Sequence, residues 1–503
     1  MALSRKMKLK LNTIFGFLYQ LTAVICGLIV PRLILSTYGT EVNGLVNSIQ
    51  SILNIITLME LGVGAVIQTA LYKPLANGDM ELVSKIVISA KRFFRIVGFV
   101  FVIFVVGIVF SYPFFVSDKF DIYSTMFLIV AISISQFAQY FFGLVYGLLI
   151  QADQKVFVYN IIQIVSLVIN TVACALLIKN GFSIQIVKFT TSLIFLLRPI
   201  LLYIYVKRYY NLMKLKPDGS ELKQKWNGII QHISAYILEN TDLIVLTLFA
   251  SLSSVSIYSV YYLIAHNIRL LIVSLTNGIT SYYGNVYAKG ENEILKKDFD
   301  KYNYFIWSLS TYVFSVTIIM IVPFVTCYTY GVNDANYNQL VFGILLVLGQ
   351  FFYCTRRSFN LLIMAAGHYK ETQVSAIIEA VINLVLSIAL VISFDLIGVA
   401  IGTLVAMLFR TIYFAYYCSK NIINRPVWKF FKELLLNSII LAISIIFAIY
   451  VNNNYDIYSY FEWVVKSCIF GSIMLGIFIL INVIFNWNLI KETLFSLKKK
   501  IWK

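Results

Sequence analysis

The chain has 503 residues, of which 60% are hydrophobic and 13% charged, and its formal net charge at pH 7 is +17. A soluble domain carries charges at about a quarter of its residues, so this composition excludes a soluble globular protein and indicates a polytopic membrane protein. The net charge does not indicate nucleic-acid binding, because most of the 40 Lys and Arg fall in the tails and in every second loop between apolar stretches.

A membrane-spanning helix needs about 20 apolar residues, and fourteen stretches meet this requirement. The alternate loops, which the pattern assigns to the outer side, contain two basic residues, Lys119 and Lys179. This positive-inside pattern predicts that both termini are cytoplasmic and that the basic loops face anionic lipid headgroups. The predicted all-α spans cover residues 11–37, 42–71, 93–116, 123–150, 157–178, 183–206, 229–252, 255–283, 304–330, 340–364, 374–394, 397–418, 434–451 and 464–485.

The second and the eighth predicted spans each carry a polar face. Polar residues recur there every three or four positions, which places them on one side of a helix. The two faces coincide at an offset of 212 residues, and we interpret them as walls of a water-filled cavity. The positions are Asn47, Gln50, Asn54, Thr57, Leu61, Gly64 and Gln68 in one span, and Ser259, Tyr262, His266, Arg269, Val273, Thr276 and Thr280 in the other.

The same offset recurs elsewhere in the chain. The loops that follow these two spans share Gly, acidic and Lys positions, and Thr191 and Arg198 of the sixth span match Thr403 and Arg410 of the twelfth. Three matches in one register predict two six-helix lobes related by a pseudo-two-fold axis along the membrane normal, because an even number of spans preserves orientation. The predicted segments are an N-terminal lobe 1–206, a cytoplasmic linker 207–228, a C-terminal lobe 229–418, and residues 419–503 with a basic linker, two extra helices and a basic tail.

Three short motifs carry a resemblance to a known family. They are Arg32 followed by the run 39–45 (GTEVNGL), the run 76–79 (ANGD) after the second span, and the run 240–242 (NTD) in the seventh. With the plan of six, six and two spans, these motifs resemble the multidrug/oligosaccharidyl-lipid/polysaccharide (MOP) exporter superfamily, and within it the Wzx-type flippases of polysaccharide repeat units. The resemblance implies a multi-pass protein of the bacterial cytoplasmic membrane. Leu33 after Arg32 departs from the related lipid II flippases, which have an acid there.

Ionisable side chains also lie inside the predicted spans. A charge in the hydrocarbon region costs a few kcal/mol or more unless it is paired or hydrated. Cations outnumber acids here, so the pattern favours an anionic ligand, whose phosphates match guanidinium groups in geometry. These side chains are Arg32, Glu60, Arg198, Glu239, Asp242, His266, Arg269, Arg356, Arg357, Glu379 and Arg410.

His266 and Arg269 lie one turn apart on the polar face of the eighth span. We predict that they hold the diphosphate of the substrate, and the alternative is a structural pair with Glu239 or Asp242. The full predicted substrate-binding set is Arg32, Asn47, Gln50, Asn54, Arg198, His266, Arg269, Arg356, Arg357 and Arg410.

Four other arginines admit two interpretations each. Arg198 and Arg410 lie about two turns from the inner ends of their spans, so they could extend to the inner headgroups or capture substrate at the inner mouth. Arg356 and Arg357 are adjacent and point about 100° apart on a helix, so we expect one of them to face the cavity.

Asp242 lies near the middle of the seventh span. In the family that the chain resembles, a carboxylate at this place belongs to a cation site in the C-terminal lobe. The resemblance therefore implies a coupling site for Na⁺ or H⁺, with Glu379, Asn383 and Thr403 available as partners, and an Arg–Asp pair is the alternative. No other cofactor or metal is expected, because the six cysteines lack C-x-x-C spacing and the chain has three histidines.

The sequence therefore predicts a flippase and not an enzyme. It would move undecaprenyl-diphosphate-linked oligosaccharide units to the outer leaflet for capsule, exopolysaccharide or O-antigen assembly, by alternating access of two lobes. The chain has no P-loop motif for ATP. Membrane lipids, a polymerase and glycosyltransferases are the expected partners. One alternative is a cation antiporter for drugs or metabolites, which would need more carboxylates, and another is a membrane glycan polymerase or acyltransferase, which would need a larger outer loop.

Overall fold

The computed structural model describes residues 5–59, 63–213, 215, 240–276 and 279–501, and within them it contains helices and no β-strand. A 3₁₀ turn, Ile55–Met59, follows the first helix, and a π-helical turn, Gln139–Gly143, follows the fourth. The α-helices are α1 (Arg5–Asn54), α2 (Val63–Asn77), α3 (Met80–Phe115), α4 (Ile122–Ala138), α5 (Leu144–Ala152), α6 (Val156–Lys179), α7 (Ile184–Phe195), α8 (Leu197–Tyr209), α9 (Asn240–Phe249), α10 (Leu252–Ser274), α11 (Ile279–Ala288), α12 (Asn292–Tyr328), α13 (Leu340–Thr355), α14 (Arg357–Ala366), α15 (Tyr369–Asn421), α16 (Trp428–Asn454) and α17 (Tyr460–Ile501).

Among the described residues, eleven helical segments are long and apolar enough to cross a membrane. Lys370–Asn421 covers two predicted spans, and Lys10–Thr57 covers the first predicted span and about half of the second. The seventh predicted span contains the shorter helix Asn240–Phe249. The prediction of an all-α polytopic membrane protein is confirmed. The number of fourteen spans is approximate, because it depends on where the two longest segments are divided.

The two longest segments are each interrupted by one residue that is not helical. Gly39 divides α1 with φ 86° and ψ 177°, a backbone conformation that glycine adopts without steric cost. It falls in the short turn that was predicted between the first two spans. Asp395 divides α15 with φ 47° and ψ −124°, and its Oδ2 accepts a hydrogen bond of 2.7 Å from Ser254 Oγ next to the start of α10.

The two arms of α15 run antiparallel to each other. Asn383 on the first arm donates to Thr403 on the second at 2.8 Å, and Glu379 one turn earlier is paired with Arg410. Each contact joins a residue before Asp395 to a residue after it, and the residues of the second pair lie further from Asp395 along the chain than those of the first. This order of contacts is that of a helical hairpin. The eleventh and twelfth predicted spans therefore form a single packed unit.

Small residues allow the two arms of this hairpin to approach each other closely. A Cβ atom added at Gly402 would lie 2.5 Å from Ser387 Oγ, and one added at Gly398 would lie 2.4 Å from the carbonyl of Leu390. Either substitution would force the arms apart. The short separation brings the polar side chains of one arm within hydrogen-bonding distance of the other.

The chain divides into two compact units, Met1–Ile233 and Ser234–Lys503. The predicted linker 207–228 lies mostly outside the described residues, and the predicted segment boundaries stay a prediction. The two C-terminal helices belong to the second unit and pack on α12. Their shared core is made of the buried residues Ile319, Met320, Cys327, Ile440, Val451, Ile457, Phe470 and Met474.

Candidate functional site

One face of the first arm of α15 carries a buried polar stripe. Its residues recur every three or four positions, so they lie on the same side of the helix. Buried polar groups in an apolar helix need partners, because an unsatisfied polar group in a low-dielectric surrounding costs several kcal/mol. The stripe consists of Thr372, Ser375, Glu379, Asn383 and Ser387, each no more than 1% exposed.

The Asp242 cluster is formed by α9, α10 and both arms of α15. Asp242 is 2% exposed, and Thr403 Oγ1 lies 2.7 and 2.9 Å from its two carboxylate oxygens. Tyr258 Oη donates to the carboxylate at 2.7 Å, and Asn383 Nδ2 approaches it at 3.3 Å. The structure thus brings together three of the four residues that were predicted as a cation site. Among the described residues no arginine pairs with Asp242, so the Arg–Asp alternative is not observed.

The Asp242 cluster contains oxygen atoms without a hydrogen-bond donor. The side-chain carbonyl oxygen of Asn383 and, one turn further along the same arm, the hydroxyl of Ser387 are both buried and have no hydrogen-bond partner among the described residues. Carboxylate, carbonyl and hydroxyl oxygens are the ligands that hard cations prefer. The donor set of the cluster therefore fits Na⁺, and its carboxylate could instead hold a proton.

Glu379 lies in a second cluster and not beside Asp242. Its two carboxylate oxygens accept from Arg356 and Arg410, and all three residues are buried. This Arg356–Glu379–Arg410 triad has one more cation than anion, and Nε of Arg410 has no hydrogen-bond partner in the part of the chain that the structure describes. The inclusion of Glu379 in the cation site is therefore not supported, and the interpretation that Arg410 extends to the lipid headgroups is wrong, because a buried carboxylate fixes its guanidinium.

Arg269 and His266 lie beside the triad. Arg269 is 3% exposed, and its guanidinium lies 4.3 Å from the ring centre of Tyr353. The guanidinium of Arg356 lies 4.8 Å from the same ring centre. A guanidinium nitrogen of Arg269 lies 2.7 Å from His266 Nδ1. Because guanidinium can only donate, Nδ1 accepts and the imidazole is neutral with its proton on Nε2. The predicted diphosphate pair is therefore in contact with the triad through one tyrosine ring.

A row of rings on α10 connects the two clusters. Tyr258, which donates to Asp242, is stacked on Tyr262 with ring centres 5.6 Å apart. Tyr262 is followed by His266 at 5.0 Å, and His266 contacts Arg269. Three residues of the polar face predicted for the eighth span, Tyr262, His266 and Arg269, thus form with Tyr258 one column of contacts within the second unit.

The side chain of Arg357 points in a different direction from that of Arg356. Its Nε lies 3.4 Å from Thr276 Oγ1 near the end of α10, whereas Arg356 turns towards α15. The break between α13 and α14 lies at Arg356. Only one of the two adjacent arginines belongs to the triad.

The predicted site residues of the first unit are neutral apart from two arginines. Asn54 accepts from Gln136 at 2.9 Å, and Asn47 donates to the carbonyl of Asn43 one turn earlier. Gln50 and Arg32 are half-buried. These residues are polar neighbours on α1 and α4, and no acid was predicted among them.

Arg198 has an aromatic and not an acidic neighbour. Its guanidinium lies 4.0 Å from the ring centre of Phe195, one turn back along the chain, so it points away from the far end of α8 where headgroup contact was one interpretation. It lines a cavity of about 120 Å³ together with Gln139, Gln151 and Gln163. The headgroup interpretation therefore stays a prediction for Arg198.

Sequence reasoning missed Tyr258, Ser387 and Tyr353. Ser387 could have been found, because it continues the i, i+4 spacing of Glu379 and Asn383. Tyr258 lies one turn before Tyr262 and just outside the recognised polar face, and nothing local distinguishes Tyr353 from the other tyrosines. The predicted in-span acids at positions 60 and 239 lie outside the described residues.

No family model matches the chain, and no curated protein matches it by sequence. Solved structures do match. Lipid II flippase MurJ, in an inward closed conformation, has a TM-score of 0.65 and 16% identity, covering 95% of this chain and 99% of that chain. An inward-facing multidrug resistance MATE transporter of the MOP superfamily has a TM-score of 0.62 and 15% identity, covering 79% and 94%. An outward-facing one has a TM-score of 0.50 and 14% identity, covering 79% and 93%.

The chain has the fold of the MOP superfamily transporters. The superfamily-level resemblance inferred from short motifs is confirmed for the fold, over nearly the whole length of the MurJ structure. The assignment to Wzx-type flippases within that fold stays a prediction.

Proposed function

We propose that the chain is a flippase for polyprenyl-diphosphate-linked oligosaccharides. The observation that carries this proposal is the extent of the structural match. MurJ is matched over 95% of this chain, whereas the MATE transporters are matched over 79%. The chain therefore shares with a lipid-linked-substrate flippase a length of structure that it does not share with the multidrug exporters.

The substrate chemistry follows from the Arg356–Glu379–Arg410 triad. Two guanidiniums share one carboxylate, so the group keeps a positive charge in an apolar surrounding. Guanidinium binds phosphate oxygens in a bidentate fork. A diphosphate could take the place of Glu379 on one arginine while Glu379 stays paired with the other arginine. Such an exchange of partners suits transient binding better than a cation that is always unpaired.

Arg269 and His266 are proposed as the first contact of the diphosphate. Arg269 is joined to the triad through Tyr353, and His266 contacts Arg269, so movement of Arg269 towards a ligand would change the surroundings of Arg356. The polyprenyl tail would stay in lipid while the two predicted lobes alternate in access. A ligand shifts such an equilibrium only by its difference in affinity for the two states.

We assign coupling to the Asp242 cluster. Asp242, Asn383, Thr403 and Tyr258 supply oxygen atoms from three helices, and no described residue donates to the side-chain carbonyl oxygen of Asn383. Binding of Na⁺ or a proton would neutralise a buried carboxylate that is otherwise stabilised by hydrogen bonds. The column Tyr258–Tyr262–His266–Arg269 would carry this change to the diphosphate contact.

The proposed setting is the bacterial cytoplasmic membrane with both termini inside. Glycosyltransferases on the inner side would supply the lipid-linked glycan, and a polymerase on the outer side would consume it. Consumption of product and the coupling cation would together drive export, without ATP.

The test is complementation of a chromosomal deletion of this gene in the source bacterium. Deletion should abolish surface polysaccharide and accumulate lipid-linked oligosaccharide in the inner leaflet. Arg269→Ala should fail to restore export, and Arg269→Lys should restore little, because lysine keeps the charge but loses the planar fork. His266→Gln should do less harm, since a neutral amide still offers a hydrogen bond.

Arg208→Ala is the matched control, because Arg208 is an exposed arginine at the end of α8, and it should complement fully. Membrane levels of each variant are measured by immunoblot. Full complementation by Arg269→Ala at normal protein level would eliminate its diphosphate role. A deletion that alters drug tolerance and leaves surface polysaccharide intact would instead favour the antiporter alternative.

A further inference from the structure

A cavity at one end of the second unit is separate from the buried clusters. It has a volume of about 640 Å³ and is lined by the C-terminal end of α12, the segment 329–338, Asn452 in the last turn of α16 and the segment 455–458 between α16 and α17. Small-molecule sites in proteins usually measure about 300–1,000 Å³. In the topology predicted from the charge distribution, this end of the unit faces outward. The cavity therefore opens on the side where the proposed product would be released.

The floor of the cavity is held by hydrogen bonds to the helix bundle. Tyr261 Oη donates to the carbonyl of Tyr337 at 2.7 Å, and Ser256 Oγ lies 3.0 Å from Tyr337 Oη. On the other side, Cys327 Sγ donates to the carbonyl of Ile457. Tyr337 and Ile457 are 5% and 1% exposed. A floor fixed in this way provides a preformed site, which lowers the entropic cost of binding.

Two tyrosine rings form an open wall of the cavity. Tyr330 and Tyr458 are 62% and 54% exposed, and their ring centres lie 5.6 Å apart at 57°. A third lining tyrosine, Tyr455, is covered by Lys466 Nζ at 3.8 Å from its ring centre. Aromatic faces are apolar with a negative quadrupole, so they attract the polarised C–H face of a sugar ring. Tyrosines that only anchored the helices in lipid would not line a polar cavity.

Amide and acidic groups also line the cavity. The side chains of Asn333, Asn452 and Asp456 line the cavity and form no hydrogen bond with the described residues. An amide offers both donors and an acceptor, and a carboxylate offers acceptors, which together match the hydroxyl and acetamido groups of sugars. No Lys or Arg is among the lining residues. The cavity therefore does not suit a diphosphate or an acidic sugar.

We propose that this cavity binds an uncharged oligosaccharide segment on the outer face of the protein, a site that rests on the proposed function for its orientation and for the source of the glycan. The glycan head of the exported lipid would occupy it while the lipid tail stays in the outer leaflet. This interaction would favour the outer-leaflet product over return of the head through the protein. The two C-terminal helices thereby gain a role, since the segment that joins them supplies Tyr458 and Asp456.

The test uses the purified full-length protein in lipid nanodiscs, probed with an array of uncharged and acidic di- to tetrasaccharides. Wild type should bind uncharged probes in preference to acidic ones. Tyr330→Ala and Tyr458→Ala should each weaken binding about tenfold, and Asp456→Asn should weaken it less. Tyr123→Ala is the matched control, because Tyr123 is an 81% exposed tyrosine at the start of α4. All four substituted side chains are exposed, so thermal stability should be unchanged.

Absence of binding to every uncharged probe, or equal binding by wild type and the Tyr330→Ala, Tyr458→Ala double variant, would overturn the inference. Export in cells is measured in parallel with Arg269→Ala. If glycan export depends on the chain while no uncharged sugar binds, the cavity inference fails alone. If uncharged sugars bind through Tyr330 and Tyr458 while deletion leaves surface polysaccharide intact, the proposed function fails and the site stands.

Discussion

Arg410 and Arg198 occupy matching positions of the predicted repeat, yet the structure surrounds them differently. Arg410 is paired with Glu379, an acid on the facing arm of α15. Arg198 lies over Phe195 at 4.0 Å, and at the offset of 212 residues the place of Glu379 is taken by Leu167. One arginine therefore meets a carboxylate, and the other meets an aromatic face.

In the second unit this buried arginine is paired with a carboxylate, whereas in the first unit the matching arginine contacts an aromatic ring. A cation–π contact is worth about 0.5–2 kcal/mol, whereas removing one partner of a buried ion pair costs about 3–5 kcal/mol because it leaves a charge uncompensated. The buried ion pairs within the described spans thus lie in the second unit. The polar contacts inside the spans of the first unit include pairs of neutral amides, such as Asn54 and Gln136.

The largest effect is expected for Glu379→Ala. It leaves two buried guanidiniums without their acid, so the free energy of unfolding should fall by about 3–5 kcal/mol and the melting temperature by roughly 5 °C. Arg198→Ala should cost about 1 kcal/mol, because no carboxylate is left unpaired. Thermal unfolding in detergent can be followed with a thiol-reactive dye, since Cys174 and Cys418 are buried in the two units.

Combining Glu379→Ala with Arg410→Ala should restore part of the lost free energy of unfolding, because one of the two unpaired guanidiniums is removed. Equal melting temperatures for Glu379→Ala and Arg198→Ala would show that the two units handle buried charge in the same way.

An intermediate effect is expected at the matched threonines Thr403 and Thr191. Thr403→Val removes a hydrogen bond to the buried Asp242 carboxylate, worth about 1.5–3 kcal/mol, so the apparent affinity for the coupling cation should change by roughly 10–100-fold. Thr191 contacts Cys174 Sγ at 3.3 Å and its own helix at the carbonyl of Val187, so Thr191→Val should leave that affinity unchanged. The readout is export into proteoliposomes as a function of Na⁺ and pH gradients.

Asp242→Asn should abolish the dependence on either gradient, because the charge that the cation neutralises is gone. If wild-type export does not depend on the Na⁺ or the pH gradient and Asp242→Asn is fully active, the proposal of a coupling site at Asp242 is contradicted.

The smallest effect concerns a charged cluster of the first unit that lies outside the spans. Asp153 accepts from Lys155 at 2.7 Å, from Tyr210 at 2.6 Å and from Lys8 at 3.3 Å. Burial alone would raise the pKa of the Asp153 carboxyl, but hydrogen bonds from Lys155 and Tyr210 and the charge of Lys8 outweigh it and lower the pKa. Asp153→Asn should therefore lower stability near neutral pH by about 1 kcal/mol.

The pH dependence of this loss has a definite sign. Because the folded-state pKa is below the unfolded value of about 3.9, the stabilisation is present above that value and disappears as pH falls through the folded-state pKa. Melting temperatures of wild type and Asp153→Asn should converge below about pH 4. Asp118→Asn, at an exposed acid, serves as control and should follow the wild type at all pH values. A difference that grows on acidification would contradict the assignment.

The sequence was most informative where a local pattern controls the result. Apolar length predicted the helices, and the positions of Gly39 and Asp395 agree with turns that hydropathy had placed between spans. Asn383 and Thr403 were named as partners of Asp242 from the resemblance, and the structure brings the three together. Glu379 was assigned to the same group and belongs to another, because one helical turn is enough to move a side chain to a different neighbour.

By itself the sequence determined the class of the protein, the approximate spans and the faces of helices on which polar groups lie, because hydropathy and helical period act over a few neighbouring residues. Only the tertiary structure decided which charges meet. Whether Arg410 reaches a headgroup or Glu379 depends on how closely the arms of α15 pack, and that depends on Gly398 and Gly402. A buried charge takes the partner that lies within about 3 Å in space, and residues far apart in sequence supply that partner.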